Sequence, residues 1–323
     1  MKKQRVLSGV KPTGRPHLGN YFGAMKQFVD LQDENDNFIF IADYHALTKF
    51  HDGEKLREYI FDMAVDYLAI GLDPKKTTLY QQSHISAHTE LGWIFNCVTP
   101  FAELTRAHAY KDAVAKGEKI SAGTFDYPVL MSADILLYDA DTVPVGRDQA
   151  QHVEIASVIA KKFNNLYGET FTSPKGFILK EVEVVPGLDG RKMSKSYNNT
   201  IELFEETESL RKKIFSIKTG SEKMGEPLNP EKDILFSLHK LFATQEELAD
   251  LQKRYVSGEI GYKQSKELLF ERAEAFIAPL RERRAAIAAN PRKVMKIIST
   301  GTKKATKIAN AKLEEVKKKI GVL

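Results

Sequence analysis

The chain has 323 residues, 42% of them hydrophobic, with 48 Lys/Arg against 43 Asp/Glu and a single cysteine. That length holds one large or two modest domains around an ordinary core. It contains no apolar run near the roughly 18 residues of a membrane span. The basic start Met1-Lys2-Lys3-Gln4-Arg5 leads into an apolar stretch too short for a signal peptide, and one cysteine excludes an internal disulfide or a cysteine-rich metal site. A cytoplasmic protein is expected.

Arg5-Val6-Leu7 reads as the start of a first strand, broken by Ser8-Gly9 and turned by Pro12-Thr13-Gly14. His17-Leu18-Gly19-Asn20 then opens a helical pattern at Tyr21, Phe22, Met25, Phe28, Val29 and Leu31. A strand, a Gly/Pro turn and a helix start aim backbone N–H groups at an anion, and Gly19 lets a nucleotide base or ribose approach its backbone. The segment is neither GxxxxGK[ST] nor GxGxxG.

Asn37 to Ala42 is an almost continuous apolar run, as in a strand buried on both faces. A helix is expected from about Glu54 to Ile70, ended by Gly71, and then a strand at Thr77 to Tyr80. Helices follow around Thr89 to Cys97 and Phe101 to Tyr110. Cys97, after Leu91, Trp93, Ile94 and Phe95, reads as buried packing. The charged stretch from Lys111 to Thr124 reads as a mobile loop. A helix around Val129 to Tyr138, a strand at Thr142 to Val145 and a long helix from about Asp148 to Tyr167 complete an alternating pattern. The fold class that follows is α/β, a Rossmann-like doubly wound parallel sheet.

Arg191-Lys192-Met193-Ser194-Lys195-Ser196 is a loop composition carrying two ammonium groups and two hydroxyls, flanked by Gly190 and Asn198-Asn199. Such a loop suits a polyphosphate and the charge that develops during nucleotidyl transfer. Beyond it the strand signal stops. Leu210 to Ile217, Asp233 to Phe242, Gln245 to Tyr255, Tyr262 to Asn290 and Pro291 to Ile320 all read as helical. Two domains are expected, 1–196 and an all-helical 197–323, with the lysine loop at the hinge. Charge is uneven: residues 281–323 carry 13 Lys/Arg and 3 Asp/Glu, while the remainder has 35 and 40. The basic end suits an anionic partner or is simply a solvated helix.

Pro12-Thr13-Gly14-Arg15-Pro16-His17-Leu18-Gly19-Asn20 together with Lys192-Met193-Ser194-Lys195-Ser196 resembles the two signature motifs of class I aminoacyl-tRNA synthetases, in the form found in their tryptophanyl branch. Tyr127 to Tyr138 and Val143 to Gln149 with His152 agree, so the resemblance covers essentially the whole chain. It implies ATP with Mg²⁺, L-tryptophan and tRNA(Trp) as ligands, a homodimer contacting through domain 1–196, anticodon recognition by 197–323, and no membrane. No metal-ligating residue is named.

Residue by residue, the resemblance assigns Lys192, Lys195 and Ser194 to pyrophosphate and transition-state charge, with Met193 and Ser196 in the same ATP-binding loop. Pro12, Thr13, Gly19 and Asn20 would cradle ATP. His17 would lie near the phosphates or cap its helix. Lys11 stands where many relatives carry Gln. Gly146, Asp148 and Gln149 resemble the ribose loop, Asp148 also suiting a helix cap, with Arg147 turned to solvent. Val184 resembles an adenine-side backbone contact, and Lys111 or Lys116 would reach the phosphates. Asp134, a carboxylate in an apolar helical run, would accept the indole N–H, since burying it without hydrogen bonds is costly; unpaired otherwise, it would reject apolar isosteres. Tyr127, Met131, Leu7, Val143, Val145 and Gln149 would complete the tryptophan pocket, and His45 would line it or cap a helix. The apolar stretch Leu91 to Phe101 is the candidate dimer surface. A tyrosyl enzyme, a non-catalytic RNA-binding paralogue and a nucleotidyltransferase acting on another small acid remain the alternatives.

Overall fold

A computed structural model describes residues 3–115, 117, 119–146, 150–178 and 184–323, with only the backbone at 108, 109, 177 and 178. Arg147, Asp148, Gln149 and Lys116 lie outside the described residues. Contacts divide the chain into two compact units.

The first unit comprises Met1–Gly14, Gln27–Lys180 and Asn290–Leu323. Its five strands are β1 (Arg5–Val10), β2 (Asp36–Ile41), β3 (Thr77–Gln81), β4 (Thr142–Val145) and β5 (Lys175–Ile178). They pair in parallel in the order β3-β2-β1-β4-β5, with Leu7 opposite Phe38 and Ile39 opposite Leu79. From Asn37 onward every residue of β2 is buried, because both faces of a parallel sheet are covered by the helices that connect its strands. Those helices include Gly53–Ala69, Ala87–Val98, Ala122–Leu136 and Ala150–Tyr167.

Helix Pro291–Ile320 packs against β3. Gly301 permits this: a Cβ there would fall inside the backbone of Leu79. Ala305, Ala309, Leu313 and Val316 then join the core that contains Phe38, Tyr80 and Phe95. Lys304 lies over the Phe38 ring, and Lys317 pairs with Glu90.

The second unit comprises Arg15–Lys26 and Glu181–Ala289. It holds the start of the first helical run, a wide π turn at Tyr21–Met25, the lysine loop, and helices Thr207–Ser216, Ile234–His239, Gln245–Ser257 and Tyr262–Ala288. Phe22 stacks on Phe276 at 5.5 Å and meets Phe242 at 6.0 Å, so the N-terminal segment is packed into this unit by aromatic contact.

Several expectations change. The sequence places one junction after Ser196; by contacts the chain divides at Gly14/Arg15, Lys26/Gln27, Lys180/Glu181 and Ala289/Asn290, which groups the basic last helix with the sheet and the lysine loop with the second unit. The span from 111 to 124 is not one loop. Helix His108–Ala115 runs into it, with Ala113 buried and the charges outside, and Ala122–Leu136 begins within it, capped by Ser121. Cys97 is exposed, because the helix Ala87–Val98 buries His88, Leu91, Gly92 and Phe95 and turns Trp93 and Cys97 outward.

Candidate functional site

In the sheet unit the chemistry gathers at the carboxyl ends of the strands, where open α/β sheets collect ligands. Asp134, on helix Ala122–Leu136, is 1% exposed. Its Oδ2 accepts from His45 Nε2 at 2.7 Å and its Oδ1 from His88 Nδ1 at 2.6 Å. Gln82 Nε2 donates to both oxygens at 2.8 and 3.0 Å. Burial by itself raises the pKa of Asp134; the hydrogen bonds from His45 and His88 outweigh it and bring the value down to about 2. The carboxylate is therefore ionised and already paired. This corrects the picture of an unpaired acceptor. These four contacts, two on each oxygen, match the roughly four acceptor sites of a carboxylate, so a further donor has to share with or displace one of them, the Gln82 amide being the donor already split between both oxygens.

Lys11 follows β1, and its ammonium lies 5.1 Å from the centre of the Tyr127 ring. Burial of that ammonium, with Lys49 as a second cause, lowers its pKa. Tyr127 hydroxyl meets His152 Nε2, and its ring stands edge-on to His45 at 6.1 Å. Leu7 and Val143 are buried in the main core, with Met131 and Val145 partly buried against it. His45 thus comes together with Asp134 and Tyr127. Pro12 is buried, whereas Thr13, Gly146 and Lys111 are exposed, Lys111 on helix His108–Ala115. The Leu91 to Phe101 stretch divides: Leu91 and Phe95 are core, while Trp93 and Phe101 are each 71% exposed.

In the second unit the two sequence motifs meet. His17 caps the helix start: its Nδ1 accepts from Asn20 N–H at 3.2 Å, and Asn20 Oδ1 accepts from His17 N–H at 3.1 Å. With Nδ1 as acceptor, the ring proton sits on Nε2. Burial, then Lys195, then Lys192 lower the His17 pKa to about 4, so the ring is a neutral donor at neutral pH. A Cβ on Gly19 would lie 2.9 Å from His17 Nδ1 and 3.4 Å from Met193 Cβ. The space Gly19 leaves is therefore filled by the other motif and by the capping ring.

The lysine loop is shaped by Asn199, which is buried. Its Oδ1 accepts from Ser194 N–H at 2.8 Å, and its Nδ2 donates to Asp189 Oδ1 at 2.7 Å and to Lys192 O at 3.2 Å. Met193 is buried and donates its N–H to Val185 O at 2.9 Å, which turns its neighbours Lys192 and Lys195 outward. Ser196 lies in the short turn Lys195–Tyr197, and Val184 is exposed.

The family model for class I tRNA synthetases (W and Y) matches residues 1–278. The chain belongs to this family. Among the relatives of this synthetase, the tryptophan–tRNA ligase of Fusobacterium nucleatum is 45% identical over 99% of this chain and 98% of its own length. That of Rhodopirellula baltica is 46% identical over 98% and 99%. The structure of the Campylobacter jejuni tryptophanyl-tRNA synthetase complexed with ADP and tryptophan superposes with a TM-score of 0.92 at 46% identity, covering 98% of this chain and 100% of that one.

Sequence reasoning missed His88, Gln82 and Asn199. For His88 the signal was present: it stands three and seven residues before Leu91 and Phe95, on the buried stripe of its helix, and a buried imidazole needs partners. Asn199 sits in a polar run, Ser196-Tyr197-Asn198-Asn199, that reads only as loop.

Proposed function

We propose that this synthetase is a tryptophan–tRNA ligase: it joins L-tryptophan and ATP into tryptophanyl-adenylate and pyrophosphate, then passes tryptophan to tRNA(Trp) with release of AMP. The observation that carries this reading is the full-length match to a structure that holds ADP and tryptophan. The tryptophan carboxylate attacks the α-phosphorus and the bond to pyrophosphate breaks. Because the nucleophile is already ionised, the protein's task is positioning and charge stabilisation. Asp134 accepts the indole N–H in place of one of the two Gln82 contacts, with Tyr127, Met131, Leu7, Val143 and Val145 around the ring. Lys192 and Lys195 meet the charge that builds on pyrophosphate, and Ser194 binds a phosphate oxygen. His17, neutral with its proton on Nε2, donates to the phosphates without adding charge. In the second step a terminal ribose hydroxyl of the tRNA attacks the acyl carbon and AMP leaves.

Mg²⁺ would enter with ATP and would supply neutralisation of phosphate charge, with no protein ligand assigned to it. We assign anticodon recognition to the helical unit and a homodimer contact to the sheet unit, where Trp93 and Phe101 stand exposed. No helix among the described residues is long and apolar enough to cross a membrane. Cytoplasmic location accords with use of the product in translation. ATP–pyrophosphate exchange measured across the twenty amino acids tests the reading. Exchange stimulated by tryptophan alone supports it; stimulation by tyrosine, or RNA binding with no exchange, refutes it.

A further inference from the structure

We propose that His88 is a positioning residue that aims the Asp134 carboxylate at the amino-acid substrate, and that Tyr138 anchors His88. The proposal rests on the reading of Asp134 as the acceptor of the indole N–H.

The torsion that turns a carboxylate about its stem is soft, so burial does not by itself fix where its oxygens point. Something rigid has to hold it. Of the three donors on Asp134, two come from short pieces of chain: His45 from the four-residue helix Asp43–Ala46 and Gln82 from the three-residue turn Gln82–His84. His45 is held at one end only, its buried Nδ1 having no hydrogen-bond partner among the described residues. Gln82 is held at its far end by Tyr44 N–H, which donates to its Oε1 at 3.2 Å, but His88 is set on a longer element. It lies on the twelve-residue helix Ala87–Val98 and is fully buried. Both ring nitrogens are engaged, Nδ1 with Asp134 Oδ1 at 2.6 Å and Nε2 with the Tyr138 hydroxyl at 3.0 Å. Its ring is confined by three aromatic neighbours, with centroids 5.6 Å from Tyr138, 6.1 Å from Tyr80 and 6.2 Å from Phe40.

The protonation pattern agrees. Beside an ionised carboxylate Nδ1 carries a proton toward Asp134, and Nε2 meets the Tyr138 hydroxyl at 3.0 Å. Burial raises the Tyr138 pKa, which keeps that hydroxyl a phenol and a donor. The chain Tyr138 to His88 to Asp134 therefore links the core to the carboxylate. It holds the Asp134 oxygens in fixed directions, where an imidazole held at one end would let them turn.

The test is pyrophosphate exchange with KM for tryptophan and for ATP, together with the preference in kcat/KM for tryptophan over an analogue whose ring N–H is replaced by sulfur. The variants are His88→Asn, His88→Gln, Tyr138→Phe and Asp134→Asn. An Asn amide reaches near the place of Nδ1 and keeps the donor to Asp134; a Gln amide reaches near Nε2 and does not. His88→Gln should raise KM for tryptophan about 10- to 100-fold, leave KM for ATP unchanged and reduce the preference over the sulfur analogue by a similar factor, as expected for loss of a hydrogen bond to a charged group. His88→Asn should restore most of both. Tyr138→Phe, which removes one oxygen, should give a shift of about 2- to 10-fold in the same direction. The proposal is overturned if His88→Gln leaves the preference intact, or if the KM values for tryptophan and ATP rise together. Should the His88 variants not fold, Tyr138→Phe decides, and an unchanged preference overturns the proposal. Asp134→Asn separates the two layers. If it alone erases the preference, positioning by His88 is refuted while the Asp134 reading stands; if even it leaves the preference intact, the Asp134 reading itself fails.

Discussion

Asp134 and the lysine loop are both charged and both serve the same proposed reaction, yet they are built in opposite ways. The carboxylate is buried in the sheet unit and accepts from His45, Gln82 and His88. The lysines stand outward on a loop whose own backbone is tied down by Asn199 and Met193. In the first region the charged group is itself part of the fold, and removing it damages packing and recognition together. In the second the fold fixes only the platform, so the charge can be removed without much structural cost.

The largest expected effect tests the first half of that contrast. Asp134→Ala leaves His45, His88 and Gln82 facing an apolar methyl group and should cost roughly 3–5 kcal/mol, since each buried donor left without its acceptor costs about 1–3 kcal/mol. Urea unfolding measures it, and a loss below about 1 kcal/mol would erase the contrast. Lys195→Ala is the counterpart. Exchange should fall by about 10²- to 10³-fold, the scale of losing one group that meets transition-state charge. Stability should move by no more than about 0.5 kcal/mol, the range of ordinary surface changes. Unchanged exchange would remove Lys195 from the mechanism.

Acid should separate the two regions next. In the folded chain His17 and His239 titrate at about 4, below the ordinary 6.5, first because of burial and then because of nearby Lys195 and Lys192 or Arg272. The unfolded chain takes up those protons earlier, so stability falls as pH drops from about 6.5 toward 4. At pH 5 the loss is roughly 2 kcal/mol for each histidine. Asp134 has its value lowered from 3.8 to about 2, so its contribution persists through that window and is lost only below it. Hydrogen exchange at pH 7 and 5 should show protection lost first around the helix Ile234–His239, with the sheet retained. Equal loss in both regions would break the distinction. The smallest effect is at Cys97: exposed on its helix, it should react with a thiol reagent in the native protein, and Cys97→Ser should shift stability by less than about 0.5 kcal/mol.

The parts of the molecule that were readable in sequence are those where one local pattern suffices. The apolar run at Asn37 to Ala42 can only be a strand covered on both faces, and β2 is that strand. The bounds Pro291–Ile320 follow from a proline at the helix start and a glycine past its end. β5 escaped because Lys175-Gly176-Phe177-Ile178 is short and carries both a charge and a glycine. The stretch from Lys111 was mistaken for loop because its charges mask a helix with one small buried side. At the site, Asp134 stood out as a lone carboxylate among apolar neighbours. What saturates it did not, since His45, Gln82 and His88 reach it from three separate segments whose convergence no single stretch of sequence encodes.

Gly301 against Leu79 has a consequence for the order in which the protein can be made. The sheet unit opens with β1, but part of its core comes from Ala305, Ala309, Leu313 and Val316. Those residues leave the ribosome after every strand and after the whole of 181–289. The helical unit can complete itself during synthesis; the sheet has to wait, its apolar face uncovered, for the last helix. A nascent chain stalled at Ala289 would therefore be a target for chaperones on the side that holds Asp134, and a stop codon or tag placed within the last helix would strike the first-made strands harder than the segment next to it.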